Sequence, residues 1–367
     1  MSESGSYVLN EYFIVKLIFS YLPSKDLISA SKVCRNWKDI ASRLLSEYAD
    51  IQSYVFNNNE IVPSFNDKLS PNIILDFSGY RSSISNSKTG KRLLDLLHET
   101  YYLDDALIYN IQADHNIFSW EFGEKSVIGL RNCPRKDPSH LLMLFGDLPG
   151  VNIDCFQEFE KRIVKADGSL ANLEEISKSK GIILFSGPRS SSSDQAQLFV
   201  DEVIEICQSR KQFNFKLAGG ISRNILRIES TNRKTELLGV TFNGENIVSV
   251  DADVHISNSV VLEDFMKSFS KRVGELPEGC IRIAFAFICI NRYNSHRDLN
   301  LFKKSFPGIP IYGFYSYGEY YLNGIPDGSK KMKCEFGSAG FDNERFLYTD
   351  SSSFLIVTYK KAKATFS

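Results

Sequence analysis

The 367 residues exceed the size of one typical domain, so we expect two or three folded units. Apolar residues make up 43% and charged residues 24%, as in ordinary globular proteins, and a net charge of -1 predicts no broad attraction to nucleic acid or membrane. The seven cysteines include no CxxC pair and the longest apolar run is 283–290, which argues against a disulfide framework, a zinc site and a membrane helix.

The first 50 residues carry apolar side chains at helical spacing and predict three short helices. Pro23 ends the first helix because it cannot donate to the helical ladder, and Ser24 is a natural N-cap for the second. The third helix is strongly amphipathic. The apolar stripes are Ile14, Leu17, Ile18, Tyr21 and Leu22 in the first helix and Val33, Trp37, Ile40, Ala41, Leu44 and Leu45 in the third.

Beyond residue 50 the pattern changes to short β-type runs with helical segments between them. Residues 181–220 and 281–315 each predict a strand, a helix and a parallel strand. The Asn243-Gly244 dipeptide predicts a hairpin, and the Ser-rich turn 350–353 predicts a second hairpin near the C-terminus. Other predicted strands are 73–77, 107–111, 126–130 and 141–145. The fold class is therefore α+β or mixed, with a three-helix unit followed by a large two-part α/β domain with mixed sheets.

Residues 7–45 resemble an F-box. The matching elements are Leu22-Pro23, Leu27 and the run Val33-Cys34-Arg35-Asn36-Trp37, whereas the usual early Leu-Pro is Leu9-Asn10 in this sequence. A unit of about 40 residues buries too little surface to be comfortably stable alone, so its surplus apolar surface has to meet a partner or the larger domain. The resemblance implies that Skp1 is this partner and that it links the chain to a cullin-RING scaffold. The alternative is a helical cap that packs on the α/β domain. The contact or core candidates are Leu9, Leu22, Pro23, Leu27, Val33, Cys34 and Trp37.

The rest of the chain resembles the FIST sensory domain, in its N-terminal and C-terminal portions. The resemblance rests on Leu217-Ala218-Gly219-Gly220, on Gly239-Val240-Thr241-Phe242 and above all on the sequence PIYGFYSYGE at 310–319. An F-box followed by this domain is the arrangement of F-box proteins of the twenty-two type. The expected division is an F-box at 7–50, a linker at 51–72 and the two FIST portions at 73–220 and 221–362.

A ligand or substrate pocket is one interpretation of the polar and glycine residues near the predicted strand ends. Glycine permits close approach of a ligand, strand ends in α/β sheets are where ligands bind, and Glu319 would place a carboxylate there. The alternatives are that the glycines only make turns and that Cys289 is a packed core residue. The candidate pocket residues are Gly219, Gly220, Cys289, Gly313, Phe314, Gly318 and Glu319.

The sequence shows no Ser-His-Asp order, no HExxH motif and no kinase-type glycine loop, so we expect no catalytic residues, no metal and no cofactor. The favoured hypothesis is a substrate-recognition subunit of an SCF (Skp1-cullin-F-box) ubiquitin ligase in the cytoplasm or nucleus. It would recruit target proteins through the FIST-like domain for ubiquitination and proteasomal degradation. The alternative is an intracellular sensor of an amino-acid-like small molecule, and an independent enzyme is the least favoured reading.

Overall fold

The computed structural model describes residues 12–57, 65–79, 88–103, 106–113, 117–120, 139–159, 162–165, 167–188, 190–211, 214–228, 233–256, 261–292, 295–323, 347–348 and 350–361. It confirms the predicted class, a helical N-terminal unit followed by a mixed α/β body with several mixed sheets. Leu9 and the predicted strand at 126–130 lie outside the described residues.

Three helices build the N-terminal unit around a small apolar core. Pro23, with extended backbone angles, occupies the N-cap of the second helix, so the predicted capping role of Ser24 is wrong. The Ser24 hydroxyl instead donates to the backbone carbonyl of Leu69, which the body buries. The helices are α1 (Tyr12–Phe19), α2 (Ser24–Ser31) and α3 (Arg35–Tyr48), and their buried core is Val15, Phe19, Leu27, Ile40, Ala41 and Leu44.

The body alternates strands and helices along the chain. Its strands are β1 (Ile51–Asn57), β2 (Pro71–Ser78), β3 (Leu107–Gln112), β4 (Ile117–Trp120), β5 (Ser139–Gly146), β6 (Asn152–Phe159), β7 (Arg162–Lys165), β8 (Gly181–Ser186), β9 (Lys216–Ile221), β10 (Asn224–Ile228), β11 (Arg233–Thr235), β12 (Leu237–Asn243), β13 (Ile247–Ile256), β14 (Cys280–Cys289), β15 (Ile311–Ser316), β16 (Glu319–Asn323), β17 (Leu347–Tyr348) and β18 (Ser351–Lys360). Its helices are α4 (Lys88–Thr100), α5 (Leu173–Ser177), α6 (Ser190–Ser209), α7 (Leu262–Val273) and α8 (Ser295–Ser305).

Three sheets form the body. The first has the order β1-β5-β2-β3-β10-β11, the second β17-β16-β9-β8-β12-β6-β7 and the third β13-β18-β14-β15-β4. Each contains one parallel pair that a helix connects: β2 with β3, β8 with β9, and β14 with β15. The two βαβ units predicted from the sequence are thus confirmed, and a third lies at the start of the body.

The three sheets repeat one strand order. The sets β1-β5-β2-β3-β10, β6-β12-β8-β9-β16 and β13-β18-β14-β15-β4 each pair antiparallel, antiparallel, parallel and antiparallel. The last strand of each set follows the parallel pair of another sheet along the chain. The chain therefore repeats one unit three times, and each unit gives one strand to a neighbouring sheet. Strand β4 of the first unit joins the third sheet, β10 of the second joins the first, and β16 of the third joins the second. Residue 220, the predicted boundary between the two FIST portions, lies inside β9, and that division stays a prediction.

The inner faces of all three sheets meet in one apolar core. Phe77, Phe185, Phe287 and Phe314 lie at its centre, with contacting ring centroids 5.4–6.1 Å apart. Helices cover the outer faces, where smaller apolar clusters form. Because strands buried on both faces need apolar side chains throughout, the near-continuous apolar runs of the sequence correspond to the central strands.

Both predicted hairpins are wrong, because the strands on either side of each turn enter different sheets. The Asn243-Gly244 turn is present, with Gly244 at a φ of 109°, but β12 belongs to the second sheet and β13 to the third. Similarly, β17 pairs with β16 in the second sheet, whereas β18 pairs with β13 and β14 in the third. The sequence predicts the Asn243-Gly244 turn correctly, whereas residues 351–353 of the predicted Ser-rich turn lie inside β18. In both cases the strand partner depends on the whole body.

Candidate protein-binding interface

Helix α1 presents a broad apolar face to solvent. The sequence of this helix is apolar almost all round, so packing one side of it leaves large side chains on the other. Val15 and Phe19 point into the helical core. The exposed side chains, between 40% and 77% accessible, are Phe13, Ile14, Leu17, Ile18 and Tyr21. A contiguous apolar face of this kind on a folded protein marks an interaction site.

The predicted adaptor-binding residues divide between this surface and the helical core. Val33, 63% exposed, and Cys34 are on the surface between α2 and α3. Leu22, Pro23 and Trp37 are half-buried. Trp37 packs edge-on against Phe19, with ring centroids 5.2 Å apart. Leu27 is fully buried in the core of the helical unit. The structure therefore leaves Val33 and Cys34 open to a partner and gives Leu27 a packing position.

The sequence pattern places Ile14, Leu17, Ile18 and Tyr21 on one helical face but does not include Phe13, and it assigns none of them to binding. The available signal was the width of the apolar stripe, since the helix carries more apolar residues than the narrow stripe that a small core needs. Reading the family motif alone favoured the Leu-Pro and Val-Cys-Arg-Asn-Trp positions. The motif consequently missed Phe13 and Leu17, which the packing of the helix exposes.

The helical unit is fastened to the first sheet. Only Ala49 and Asp50 separate α3 from β1, so residues 51–57 of the predicted linker form an edge strand. Lys68 donates from Nζ to the carbonyls of Ser20 (2.9 Å) and Leu22 (2.7 Å), which satisfies orphan carbonyls after α1. The exposed face of α1 thus has a fixed direction relative to the body.

The predicted pocket residues Cys289 and Glu319 lie in a buried polar cluster at the ends of β14 and β15. The two Glu319 carboxylate oxygens accept hydrogen bonds from the hydroxyls of Ser316 (2.8 Å) and Ser351 (2.7 Å). Burial raises the pKa of Glu319 well above its usual range despite these hydrogen bonds. Burial, with the nearby Glu319 carboxylate, also raises the pKa of the Cys289 thiol to about 11. A thiol with a raised pKa is a poor nucleophile, which favours the packing role for Cys289.

The glycines of the predicted pocket lie against neighbouring backbone or side chains. A Cβ at Gly219 would stand 1.8 Å from the Leu184 carbonyl oxygen, and one at Gly313 would stand 1.8 Å from that of Ala286. A Cβ at Gly220 would approach the Ser316 side chain at 2.9 Å. These contacts explain the glycines by close packing of strands and sheets. Of the other two predicted pocket residues, Phe314 fills the central core, and Gly318 is a buried residue whose carbonyl accepts from Ile221 N–H (3.0 Å).

An F-box-like family model matches residues 14–47, which cover α1, α2 and α3 except for Tyr12, Phe13 and Tyr48. The match supports an F-box protein. F-box-like domains generally bind Skp1 within SCF complexes, and such a domain fits a substrate-recognition role in these ligases. No curated protein matches the chain.

Two further properties concern the described ranges alone. Within them, no helix is both long enough and apolar enough to cross a membrane. The same residues contain no group of three or more His, Cys, Asp and Glu side chains arranged to hold a metal ion.

Proposed function

We propose that this protein is the substrate-recognition subunit of an SCF ubiquitin ligase and that the exposed face of α1 docks on Skp1. The observation that carries the proposal is the exposure of Phe13 and Leu17 on α1 and of Tyr21 just after it, of which Leu17 and Tyr21 lie inside the F-box-like match. Complete burial of a large apolar side chain contributes roughly 1.5–3 kcal/mol, so several of them supply the core of a stable interface. Val33 and Cys34 would extend the contact beyond α1.

The α/β body would then recruit the target protein, as expected of a FIST-like domain in an F-box protein of the twenty-two type. The short connection from α3 to β1 and the Lys68 hydrogen bonds support this division of labour, because they hold the body at a constant position from the docking face. The ligase would act by proximity, since holding a target lysine near the ubiquitin-charged enzyme raises its effective concentration.

Titration of Skp1 against the purified full-length chain tests the docking face. Leu17→Asp introduces a charge at the centre of the face, and we expect it to weaken Skp1 binding at least about 30-fold, as for a central interface residue. Leu198→Asp is the matched control, because Leu198 is a similarly exposed leucine on helix α6 of the body (55% against 60%). Equal Skp1 affinity of Leu17→Asp and the wild type would overturn the assignment.

Recruitment by the body is tested separately in cells under proteasome inhibition. Proximity labelling should recover the same target proteins with the wild type and with Leu17→Asp, because the variant leaves the body intact. Only the wild type should support their ubiquitination. Targets that disappear from the Leu17→Asp sample would mean that the body does not recruit them by itself.

A further inference from the structure

The three helices of the N-terminal unit carry an excess of positive charge. Residues 12–48 contain six basic and three acidic residues, a net charge of +3 in a chain whose net charge is -1. Lys16 is paired with Glu47, with Nζ and Oε1 3.0 Å apart. The exposed cations Arg35, Lys38 and Arg43 form no ion pair with any residue that the structure describes. These three residues are called the basic edge of α3.

The basic edge borders the helix that carries the proposed docking face. Arg43 Nη1 donates to the hydroxyl of Tyr12 (3.1 Å), and the Arg43 guanidinium lies over the same ring, 5.8 Å from its centroid. At the other end, Trp37 in the first turn of α3 packs against Phe19. Tyr12 and Phe19 are the first and last residues of α1, so α3 runs beside the whole helix. A partner that covers α1 therefore lies next to the basic edge.

The stability of α3 does not explain the positions of Arg35 and Lys38. Both belong to the first four residues of the helix, its first turn contains no acidic residue, and the side chain of the N-cap Cys34 makes no capping hydrogen bond. Because the N-terminus is the positive end of the helix dipole, cations there destabilise a helix. Helices α5 and α7 instead begin with acidic residues, and α7 ends with Lys271 and Arg272. A role in binding accounts for the two cations better than a role in folding.

An apolar face beside exposed cations defines the chemistry of the surface that fits it. Apolar side chains of the partner would cover Leu17 and its neighbours on α1, and carboxylates would pair with the cations of α3. The exposed Asp39 lies on the same helix and still leaves its exposed surface with a net positive charge. Charge complementarity of this kind speeds association and fixes the register of two surfaces. The partner surface is therefore apolar at its centre and acidic at one margin.

We propose that the basic edge receives an acidic segment of the adaptor that docks on α1, with Asp and Glu side chains paired to Arg35, Lys38 and Arg43. The inference rests on the proposed function, because it assigns the chemistry of a second part of the adaptor contact. Exposed charges at the margin of an interface act mainly on the rate of association and on its salt dependence. An anionic lipid surface has related chemistry, and the experiments distinguish it.

Association kinetics of the full-length chain with Skp1 at two salt concentrations provide the first test. The wild-type association rate constant should fall at least about tenfold between about 0.05 M and about 0.5 M salt. The double variant Arg35→Glu, Lys38→Glu should associate at least about tenfold more slowly than the wild type at the lower concentration, and this difference should shrink at the higher one. Acidic residues favour the start of a helix, so the variant should fold, and its urea midpoint checks this.

The matched control is the double variant Lys91→Glu, Arg92→Glu. Both residues are exposed near the start of α4, so the control makes the same change in charge at a similar helical position on the body. Its association rate constant should stay within about threefold of the wild type, because salt screens distant exposed charges. Equal rates for the two double variants at the lower salt concentration would overturn the proposal and leave docking on α1 intact. A wild-type chain that does not bind Skp1 would overturn both.

Carbodiimide cross-linking of the wild-type complex provides the second test, because the reagent joins an amine to a carboxylate that contacts it. Peptide mapping should find Lys38 joined to an Asp or Glu of Skp1, and Lys91 should form no such link. A complex without the Lys38 link would overturn the proposal. Unchanged Skp1 kinetics of Arg35→Glu, Lys38→Glu together with lost binding to vesicles that contain phosphatidylserine would assign the basic edge to a membrane surface, and would also overturn it.

Discussion

The hydroxyl of Ser24 donates a hydrogen bond of 2.7 Å to the carbonyl of Leu69, and both residues are fully buried. Ser24 begins helix α2, and Leu69 lies two residues before strand β2 of the first sheet, so the bond crosses from the helical unit to the body. The backbone N–H of Ser24 adds a second bond of 2.7 Å to the carbonyl of Asp67. The same serine that the sequence suggests as a helix cap therefore joins the two parts of the chain.

Ser24→Ala should lower the free energy of unfolding by about 1–3 kcal/mol, because it leaves the buried Leu69 carbonyl without its donor. Urea unfolding of the full-length chain measures the change. Ser29→Ala is the matched control, since the exposed Ser29 hydroxyl bonds only to a carbonyl of its own helix. A loss for Ser24→Ala no larger than for Ser29→Ala would contradict the assigned role.

Leu27→Ala should reduce stability and Leu17→Ala should reduce Skp1 binding, because Leu27 is in the core and Leu17 is on the docking face. Leu27→Ala should lower the free energy of unfolding by about 2–5 kcal/mol and leave the Skp1 affinity of the folded protein within about twofold. Leu17→Ala should weaken Skp1 binding with little change in stability. Urea unfolding and calorimetric titration distinguish these results. If Leu27→Ala bound Skp1 more weakly while its urea midpoint stayed unchanged, Leu27 would be a contact residue and not a core residue.

Alkylation of the exposed Cys34 with a bulky maleimide should block Skp1 binding, because the thiol lies beside Val33 on the surface of the helical unit. Mass spectrometry of proteolytic peptides identifies the modified residue, and the same titration measures binding. Cys34→Ser treated with the same reagent is the control and should bind normally. Full binding by protein modified at Cys34 would place the adaptor contact away from α3.

Glu319 should make stability depend on pH. Burial holds the pKa of Glu319 well above the ordinary 4.5, so the folded state keeps a proton that the unfolded chain releases. Stability is therefore greatest below the unfolded value and falls as pH rises toward the folded pKa. Glu319→Gln removes this titration, and its stability relative to wild type should rise by up to about 1.4 kcal/mol per pH unit in that window. Urea unfolding between about pH 5 and pH 8 measures the difference. A difference that stays constant with pH would contradict the raised pKa.

Local features of the fold follow from the sequence, whereas the pairing of distant strands does not. The helices around Trp37, the buried runs at 182–185 and 283–290 and the turn at Gly244 all appear where spacing and turn chemistry predict them. The predicted strand pairing of the two hairpins is wrong because the alternation of side chains along a strand is the same whichever sheet the strand joins. The threefold repetition went unseen for a related reason, since it resides in backbone pairing and equivalent positions carry different residues such as Asp76, Leu184 and Ala286.

The same limit applies to the candidate sites. The family motif pointed to the correct helices, but it could not separate Leu27, which the core buries, from Leu17, which it leaves outside. The glycines at 219 and 313 suggested room for a ligand, and a distance to the neighbouring carbonyl was needed to reveal tight packing. Nδ1 of His140 donates to the Asp76 carboxylate although the two residues are 64 positions apart, and only the strand pairing brings them together.

The cyclic exchange of strands has a consequence for biosynthesis. The third sheet lacks its second strand, β18, until residue 360 has left the ribosome, and the second sheet is complete only after β16 and β17 have left it. No single repeat can close its own sheet, so partial chains expose unpaired strand edges while translation continues. We expect the nascent body to depend on holdase chaperones for most of its synthesis, and to close in one late cooperative step.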